Sequence, residues 1–162
     1  MEQRVQTSAA PGPATDEMEQ ARYNCVLRSI FGEIFEVDFS GDSYRLIHMG
    51  DVRFCPPPPG MGLAATLRAI AETLIHPEDR EIFLRVLNPK ALLQGENLKQ
   101  GYASGDVRKK CLDGQYRWAR FTVFPLVCAA SGRPLHMICV QDVDEQKRAV
   151  GLPPTARFEW VH

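Results

Sequence analysis

The sequence lacks any apolar stretch long enough to cross a membrane, and its start, MEQRVQTSAAPGPATDE, contains no apolar core of the kind that a signal peptide has. We therefore expect a cytoplasmic protein without a membrane partner. It also lacks an excess of either charge, since 19 Lys and Arg stand against 20 Asp and Glu. The one tight basic run is Arg108, Lys109 and Lys110. A strand would divide these residues between its two faces, and we expect them to lie on a solvated strand edge. We expect no nucleic-acid partner, because such proteins concentrate basic charge on one face.

The sequence also lacks the patterns that bind metals or support catalysis. Its five cysteines form no C-x-x-C pair, and we expect them to be reduced and mostly buried. The histidines His48, His76, His136 and His162 fall at no spacing that would gather a metal site. No local signature indicates a Ser-His-Asp or Cys-His arrangement. We expect neither a metal nor a catalytic residue.

What the sequence does contain is the material for one domain with an extension at each end. Residues 1–15 are rich in Ala, Pro, Gly, Ser and Thr, and we expect them to form a disordered arm. Residues 16–148 are predicted to form the domain, which starts with a helix over 16–30. Residues 149–162 are predicted to be a tail, because glycine and prolines end any helix there within about two turns.

Strand and helix patterns then alternate along the domain. Residues 31–49 have a period of two with a turn at SGD, which predicts a β-hairpin. Three short helices are predicted within 63–97, one of them starting at HPED. Strands are predicted over 104–112, 115–128 and 135–143. This order favours an antiparallel sheet with the helices on one face, an α+β fold.

Three segments, IHPEDREIF, CLDGQYRWARF and QDVDEQKR, resemble in their order and spacing the PAS domain, in the variety whose terminal portion is called PAC. The resemblance runs from about Tyr23 to Arg148. It implies a five-stranded antiparallel sheet with short helices on one face, as the periodicity also indicates.

The resemblance implies a function in signalling. PAS domains are usually sensory or dimerisation modules, often placed before a diguanylate cyclase or a histidine kinase. The segments ARYNCVLRSIFGEIFEVDFS and DVDEQKR look most like PAS domains that precede diguanylate cyclases. We therefore expect a sensory and protein-interaction module of a bacterial signalling protein, without chemistry of its own, that acts on a downstream effector. The alternative is the N-terminal regulatory part of a diguanylate cyclase whose GGDEF catalytic domain lies outside this chain.

The resemblance also bears on cofactors and on signal coupling. Asn24 and Cys25 precede the first strand, whereas the flavin-binding motif of light-sensing relatives follows the second, and His76 fits a helix cap better than a haem ligand. We expect neither flavin nor haem. PAS domains commonly close with Asp, an aliphatic residue and Thr, whose Asp and Thr help to couple the last strand to an output helix. Asp142 occupies the first of these places and Asp144 the third, so coupling through the hydroxyl is not expected.

A pocket between helices and sheet is the usual ligand site of the family. Strand parity and helical spacing predict inward-facing residues for it, namely Phe35, Val37, Phe83, Leu87, Leu92, Ala119, Phe121 and Val123. A dry, filled core is the favoured alternative to a pocket that holds a small molecule. A small enzyme that uses this pocket would need titratable groups in it.

The same strand parity places Trp118, Arg120, Thr122 and Phe124 on the opposite face of the sheet. An exposed Trp and Phe would form an apolar patch that calls for a cover. We expect the cover to be the apolar stripe of the first helix, from the same chain or from a partner subunit in a homodimer. That stripe consists of Tyr23, Val26, Leu27 and Ile30.

Overall fold

The computed structural model describes residues 13–50, 53–94, 101–126, 132–151 and 158–161. In chain order the elements are α1 (Pro13–Ile30), β1 (Glu33–Asp38), β2 (Ser43–Met49), α2 (Leu63–Thr73), a 3-10 turn (Pro77–Asp79), α3 (Arg80–Val86), α4 (Pro89–Gln94), β3 (Tyr102–Lys110), β4 (Tyr116–Leu126), β5 (Leu135–Asp142), α5 (Asp144–Ala149) and β6 (Phe158–Val161). None of the helices in these ranges is both long and apolar enough to span a membrane.

The strands form one antiparallel sheet in the order β2-β1-β5-β4-β3-β6. The predicted α+β fold is confirmed, and strands β1 to β5 are the five strands that the sequence predicts. The sixth strand lies within 149–162, the predicted C-terminal tail, and it pairs with β3 through Tyr102–Gly105. Pairing to an exposed edge depends on backbone hydrogen bonds, which no side-chain pattern announces.

The first helix begins earlier than expected. The structure starts α1 at Pro13, so the last residues of the predicted arm are helical, and the rest of that arm lies outside the described residues. Proline fits the first turn of a helix, because the amide hydrogen that it lacks has no acceptor within the helix there.

Helices α2, α3 and α4 pack on one face of the sheet around a single hydrophobic core. Leu67, Phe83 and Leu92 come from these three helices, and they meet Val107 and Phe121 from the sheet. The alternation of β4 is confirmed: Ala119, Phe121 and Val123 are in this core, whereas Trp118 is not. Successive side chains of a strand point to opposite faces, so β4 separates the core from the outer face.

The hairpin between β1 and β2 also fixes the start of α2. Asp42 has a positive φ of 50°, and its Oδ1 accepts a hydrogen bond of 2.7 Å from the Ala64 amide of α2. A Cβ on Gly62 would collide with the carboxylate of Asp42, so a larger residue there would displace the side chain that accepts this hydrogen bond. The helix layer is therefore fastened to the sheet at this end by a cap that is distant in sequence.

The 3-10 turn between α2 and α3 forms a second attachment of the helix layer to the sheet. His76 Nδ1 accepts a hydrogen bond of 3.3 Å from the Glu78 amide, which is the capping role expected from HPED. Buried Asp79 accepts hydrogen bonds from the Arg108 amide, Nε and Nη2 at 2.8, 2.8 and 2.7 Å. Arg108 is therefore not part of a solvated edge as expected, and its hydrogen bonds with Asp79 raise its pKa above the ordinary value.

Replacing Asp79 tests this second attachment. We expect Asp79→Ala to lower the free energy of unfolding by about 3–5 kcal/mol, because it leaves the Arg108 guanidinium largely buried without its main counter-ion. Urea denaturation measures the loss. The matched control is Glu78→Ala, which removes the neighbouring ion pair of Arg108 with a carboxylate that is 73% exposed and should cost no more than about 1 kcal/mol. Equal losses in the two variants would contradict the assignment.

Candidate functional site

A small cavity lies between α2, α3 and the sheet, where the sequence predicts a pocket. Its volume of about 30 Å³ holds only about two water molecules, so this part of the interior is nearly filled. The predicted pocket residues that line it are Phe35, Val37, Phe83, Leu87 and Phe121. Leu92, Ala119 and Val123 are buried in the surrounding core but do not line the cavity.

The cavity wall also carries a charged pair that was not predicted. Lys109 Nζ donates hydrogen bonds of 2.9 Å to both carboxylate oxygens of Glu33, and each residue is only 2% exposed. Both residues line the cavity. We expected Lys109 on a solvated strand edge, and the structure corrects this. Strand parity could have indicated the pair, because Glu33 lies on the same strand face as Phe35, and Lys109 lies on the same face as Val107.

Aromatic rings complete the surroundings of this ammonium group. Lys109 Nζ lies 5.3 Å from the ring centroid of Phe54 and 5.9 Å from that of Phe121. Cation–π attraction of this kind is strongest where the cation has lost its water. Glu33 and Lys109 are therefore held to each other in the cavity wall, with aromatic rings beside the ammonium group.

A larger groove lies outside the cavity, with Glu33 shared between the two walls. The groove has a volume of about 410 Å³ and lies where the end of α1, the start of β1 and the start of α5 meet. Its lining carries both charge signs, with the cations Arg53 and Arg117 and the carboxylates Asp142 and Glu145. Only the Glu33 side chain belongs to both linings, so the buried pair stands where cavity and groove adjoin.

The residues predicted for signal coupling hold the first turn of α5 against β4. Asp142 Oδ2 accepts a hydrogen bond of 2.9 Å from Arg117 Nε, which raises the pKa of Arg117, and its Oδ1 accepts one of 3.0 Å from the Asp144 amide. Asp144 is buried, and its Oδ1 accepts a hydrogen bond of 3.1 Å from the Trp118 amide. A carboxylate at position 144 thus makes a backbone contact without a hydroxyl.

The outer face of the sheet is covered differently from our expectation. Tyr23, Val26 and Ile30 of α1 are 59%, 55% and 45% exposed, whereas Trp118 is only 7% exposed. Lys147 Nζ of α5 lies 5.4 Å from the centroid of the Trp118 ring, and Arg108 Cζ of β3 lies 5.5 Å from it. The α1 stripe is therefore not the cover of Trp118. The aliphatic parts of long basic side chains can shield an aromatic ring while their charged ends bind carboxylates.

Those charged ends meet at Asp106. Arg120 Nε and Nη2 donate to its two carboxylate oxygens at 2.7 and 3.0 Å, and Lys147 Nζ lies 2.5 Å from Oδ2. Burial alone would raise the pKa of Asp106, but the hydrogen bonds and charges of Arg120 and Lys147 together lower it below the ordinary value. The remaining predicted aromatic, Phe124, packs against Tyr102 with ring centroids 5.4 Å apart.

The cysteines divide by position. Cys111 and Cys139 are buried, and burial raises the pKa of their thiols to about 11 and about 12. Cys25 is exposed and Cys55 is half-buried, so the expectation of mostly buried cysteines is met only for part of the set. The remaining cysteine, Cys128, lies outside the described residues.

Acid titration tests the Asp106 cluster. Because its folded pKa is lowered, Asp106 contributes stability that is fully present above pH 3.8, the ordinary pKa of this carboxyl group. That stability is lost as the pH falls through the folded pKa. We expect Asp106→Asn to lower the free energy of unfolding by about 2 kcal/mol at neutral pH, and the difference from wild type to shrink in acid. Urea denaturation at a series of pH values measures this.

Two features make the comparison specific. Burial lowers the pKa of His136, which removes stability as the pH falls below 6.5, but wild type and variant share this loss. Glu36→Gln is the matched control, because it breaks the exposed pair with Arg45 and should cost less than about 1 kcal/mol. A difference between wild type and Asp106→Asn that stays constant in acid would contradict the assignment.

The fold of the chain is similar to those of several solved structures. The chain resembles a sensory box histidine kinase/response regulator from Burkholderia thailandensis, with 16% identity, 80% of this chain and 90% of that chain covered, and a TM-score of 0.46. It resembles an RNA-binding light-oxygen-voltage receptor with 15% identity, 74% of this chain and 30% of that chain covered, and a TM-score of 0.48. It resembles the N-terminal domain of a diguanylate cyclase with PAS/PAC sensor from Marinobacter aquaeolei with 14% identity, 70% and 96% covered, and a TM-score of 0.46.

No curated protein matches the chain. A family model described as PAS fold matches residues 66–141, which run from within α2 to within β5. These residues include the helix layer, the cavity residues contributed by β3 and β4, and most of β5. Residues 66–141 of this chain therefore match the PAS fold.

Proposed function

We propose that this chain is a sensory and protein-interaction module of a bacterial signalling protein, which forms a homodimer through α1 and transmits a change through α5 to a downstream effector. The observation that carries the proposal is the bare apolar stripe of α1 beside a groove that α1 and α5 share. The two helices are the natural input and output surfaces, because they flank the sheet without contributing to its core.

The stripe supports a second copy of the chain as its partner. Tyr23, Val26 and Ile30 follow helical spacing on one face of α1, and all three are exposed. A helix of 18 residues gains most of its stability from packing of such a face, which within this chain is largely unpacked. In a two-fold dimer the same stripe packs against itself, so one helix supplies both halves of the interface.

The far end of α1 supports transmission. Ile30, the last residue of α1, lines the same groove as Glu145 and Gln146 in the first turn of α5. A change in the packing of α1 against a partner therefore reaches the residues that hold α5. Asp142 and Asp144 are the coupling residues in this proposal, because they join that turn to β4.

The alternative, that the chain is the regulatory part of a diguanylate cyclase with its GGDEF domain elsewhere, stays a prediction from the segments ARYNCVLRSIFGEIFEVDFS and DVDEQKR. It requires the same dimer, since a regulatory module that pairs two chains also pairs whatever follows them. A cytoplasmic location belongs to both versions of the proposal.

Light scattering after size-exclusion chromatography tests the dimer. We expect wild type to be a dimer at micromolar concentrations and Val26→Glu to be a monomer, because a buried carboxylate at the centre of the stripe should raise the dimer Kd at least about a hundredfold. Leu84→Glu is the matched control, since Leu84 is an exposed leucine on α3 and should leave the dimer intact. A monomeric wild type, or a Val26→Glu variant that dimerises like wild type, would refute this part of the proposal.

A further inference from the structure

The Glu33–Lys109 pair has features that stability alone does not explain. Both side chains are almost fully buried, and their two contacts of 2.9 Å tie an ammonium to one carboxylate. Apolar residues of similar size often stabilise an interior as well as a buried ion pair does. A charged pair in the wall of a cavity is therefore a candidate for recognition of a charged ligand.

The ammonium has capacity for a further partner. Within the described part of the chain, both hydrogen bonds that Lys109 donates go to Glu33, and an ammonium group has three donors. Around the remaining space the walls are apolar, with Leu67, Phe83 and Ile138 among the lining residues. A ligand that fits must be small, apolar over most of its length and able to accept hydrogen bonds from Lys109.

Glu33 and Lys109 differ in the spaces that their side chains line. Glu33 lines the outer groove as well as the cavity, and that groove offers Arg53 and Arg117 as alternative cations. Lys109 lines only the cavity, under the rings of Phe54 and Phe121. An incoming carboxylate can therefore replace Glu33 on Lys109, with the charge inside unchanged. An incoming cation would have to displace Lys109, for which the groove lining provides no place.

We propose that the cavity binds a small apolar monocarboxylate, whose carboxylate takes the place of Glu33 on Lys109 while Glu33 turns into the groove. The cavity volume of about 30 Å³, together with the space vacated by the Glu33 carboxylate, suits an acid about the size of propionate. This inference rests on the proposed sensory function, since it supplies the class of molecule that is sensed.

The exchange would also connect ligand binding in the cavity to a change at the surface groove. When Glu33 enters the groove, a carboxylate arrives beside Arg117, which otherwise holds Asp142 at 2.9 Å. Competition for that guanidinium loosens the attachment of the first turn of α5. The same movement places charge next to Ile30 at the end of α1. Occupation of the cavity thus changes the junction of the two helices without enlarging the core.

A titration with three size-matched probes tests the proposal. Propionate, propionamide and propylamine are added separately to the full chain, and amide shifts in ¹H–¹⁵N NMR spectra are followed at Phe35, Phe83, Phe121 and Asp144. We expect propionate to shift the cavity residues and Asp144 in a saturable way, whereas propionamide and propylamine leave them unchanged. Binding of propylamine in place of propionate, or equal binding of propionamide, would overturn the proposal.

Variants of the pair separate recognition from folding. Glu33→Gln removes the internal competitor, and we expect it to bind propionate at least tenfold more tightly than wild type. The double variant Glu33→Met, Lys109→Met replaces the pair by apolar side chains and should remain folded without binding propionate. Absence of saturable binding by wild type, or no gain in Glu33→Gln, refutes the ligand class.

The outcome is independent of the dimer test. A wild type that dimerises through α1 but binds none of the probes leaves the interaction module intact and removes only the ligand proposal. A wild type that binds propionate but stays monomeric retains the cavity proposal and removes the α1 interface.

Discussion

The alternation of β4 is the constraint on which the rest of the structure depends. One parity of this strand, Ala119, Phe121 and Val123, contributes to the core under the helix layer, while Trp118 and Arg120 on the other parity meet charged partners. Because β4 pairs with both β3 and β5, its register fixes which residues of those strands face inward. A shift by one residue would place Arg120 in the core and Phe121 among the salt bridges. The cavity and the α5 attachment therefore share one geometric origin.

Charged contacts connect the two faces that β4 separates. Asp79 in the helix layer accepts hydrogen bonds from Arg108, and both Arg108 and Lys147 of α5 lie close to the Trp118 ring. Each cation also has a carboxylate partner, so the aromatic ring packs against groups that are already neutralised. This set of contacts joins the 3-10 turn before α3, strands β3 and β4, and α5. The helix layer over the cavity and α5 are therefore attached to the same part of the sheet.

Local signals allowed much of this fold to be predicted, whereas contacts between distant segments escaped prediction. Period-two and helical spacing gave the strands and helices, and HPED gave the cap at His76, because these depend on neighbours in sequence. The core residues of β4 followed from parity alone. The Asp42 cap of α2, the pairing of β6 and the cover of Trp118 by Lys147 each join segments that sequence spacing does not relate. Parity places Lys109 beside Val107 on the core face, but its counter-ion Glu33 is 76 residues away, so no local pattern indicates the pair that allows its burial.

In the proposed exchange the Glu33–Lys109 pair is the part of the interior that changes, and the points at which the helix layer is attached to the sheet support this. Asp42 fixes the beginning of α2, and Asp79 fixes the turn that precedes α3, so the helix layer is attached to the sheet at two points. Lifting that layer to enlarge the cavity would break capping and charge-assisted hydrogen bonds together. Moving the Glu33 carboxylate breaks only its contacts with Lys109, and Arg53 and Arg117 lie along the groove that it also lines. Because the helix layer is attached to the sheet, the proposed ligand would change the charge partner of Lys109 and would leave the volume of the core unchanged.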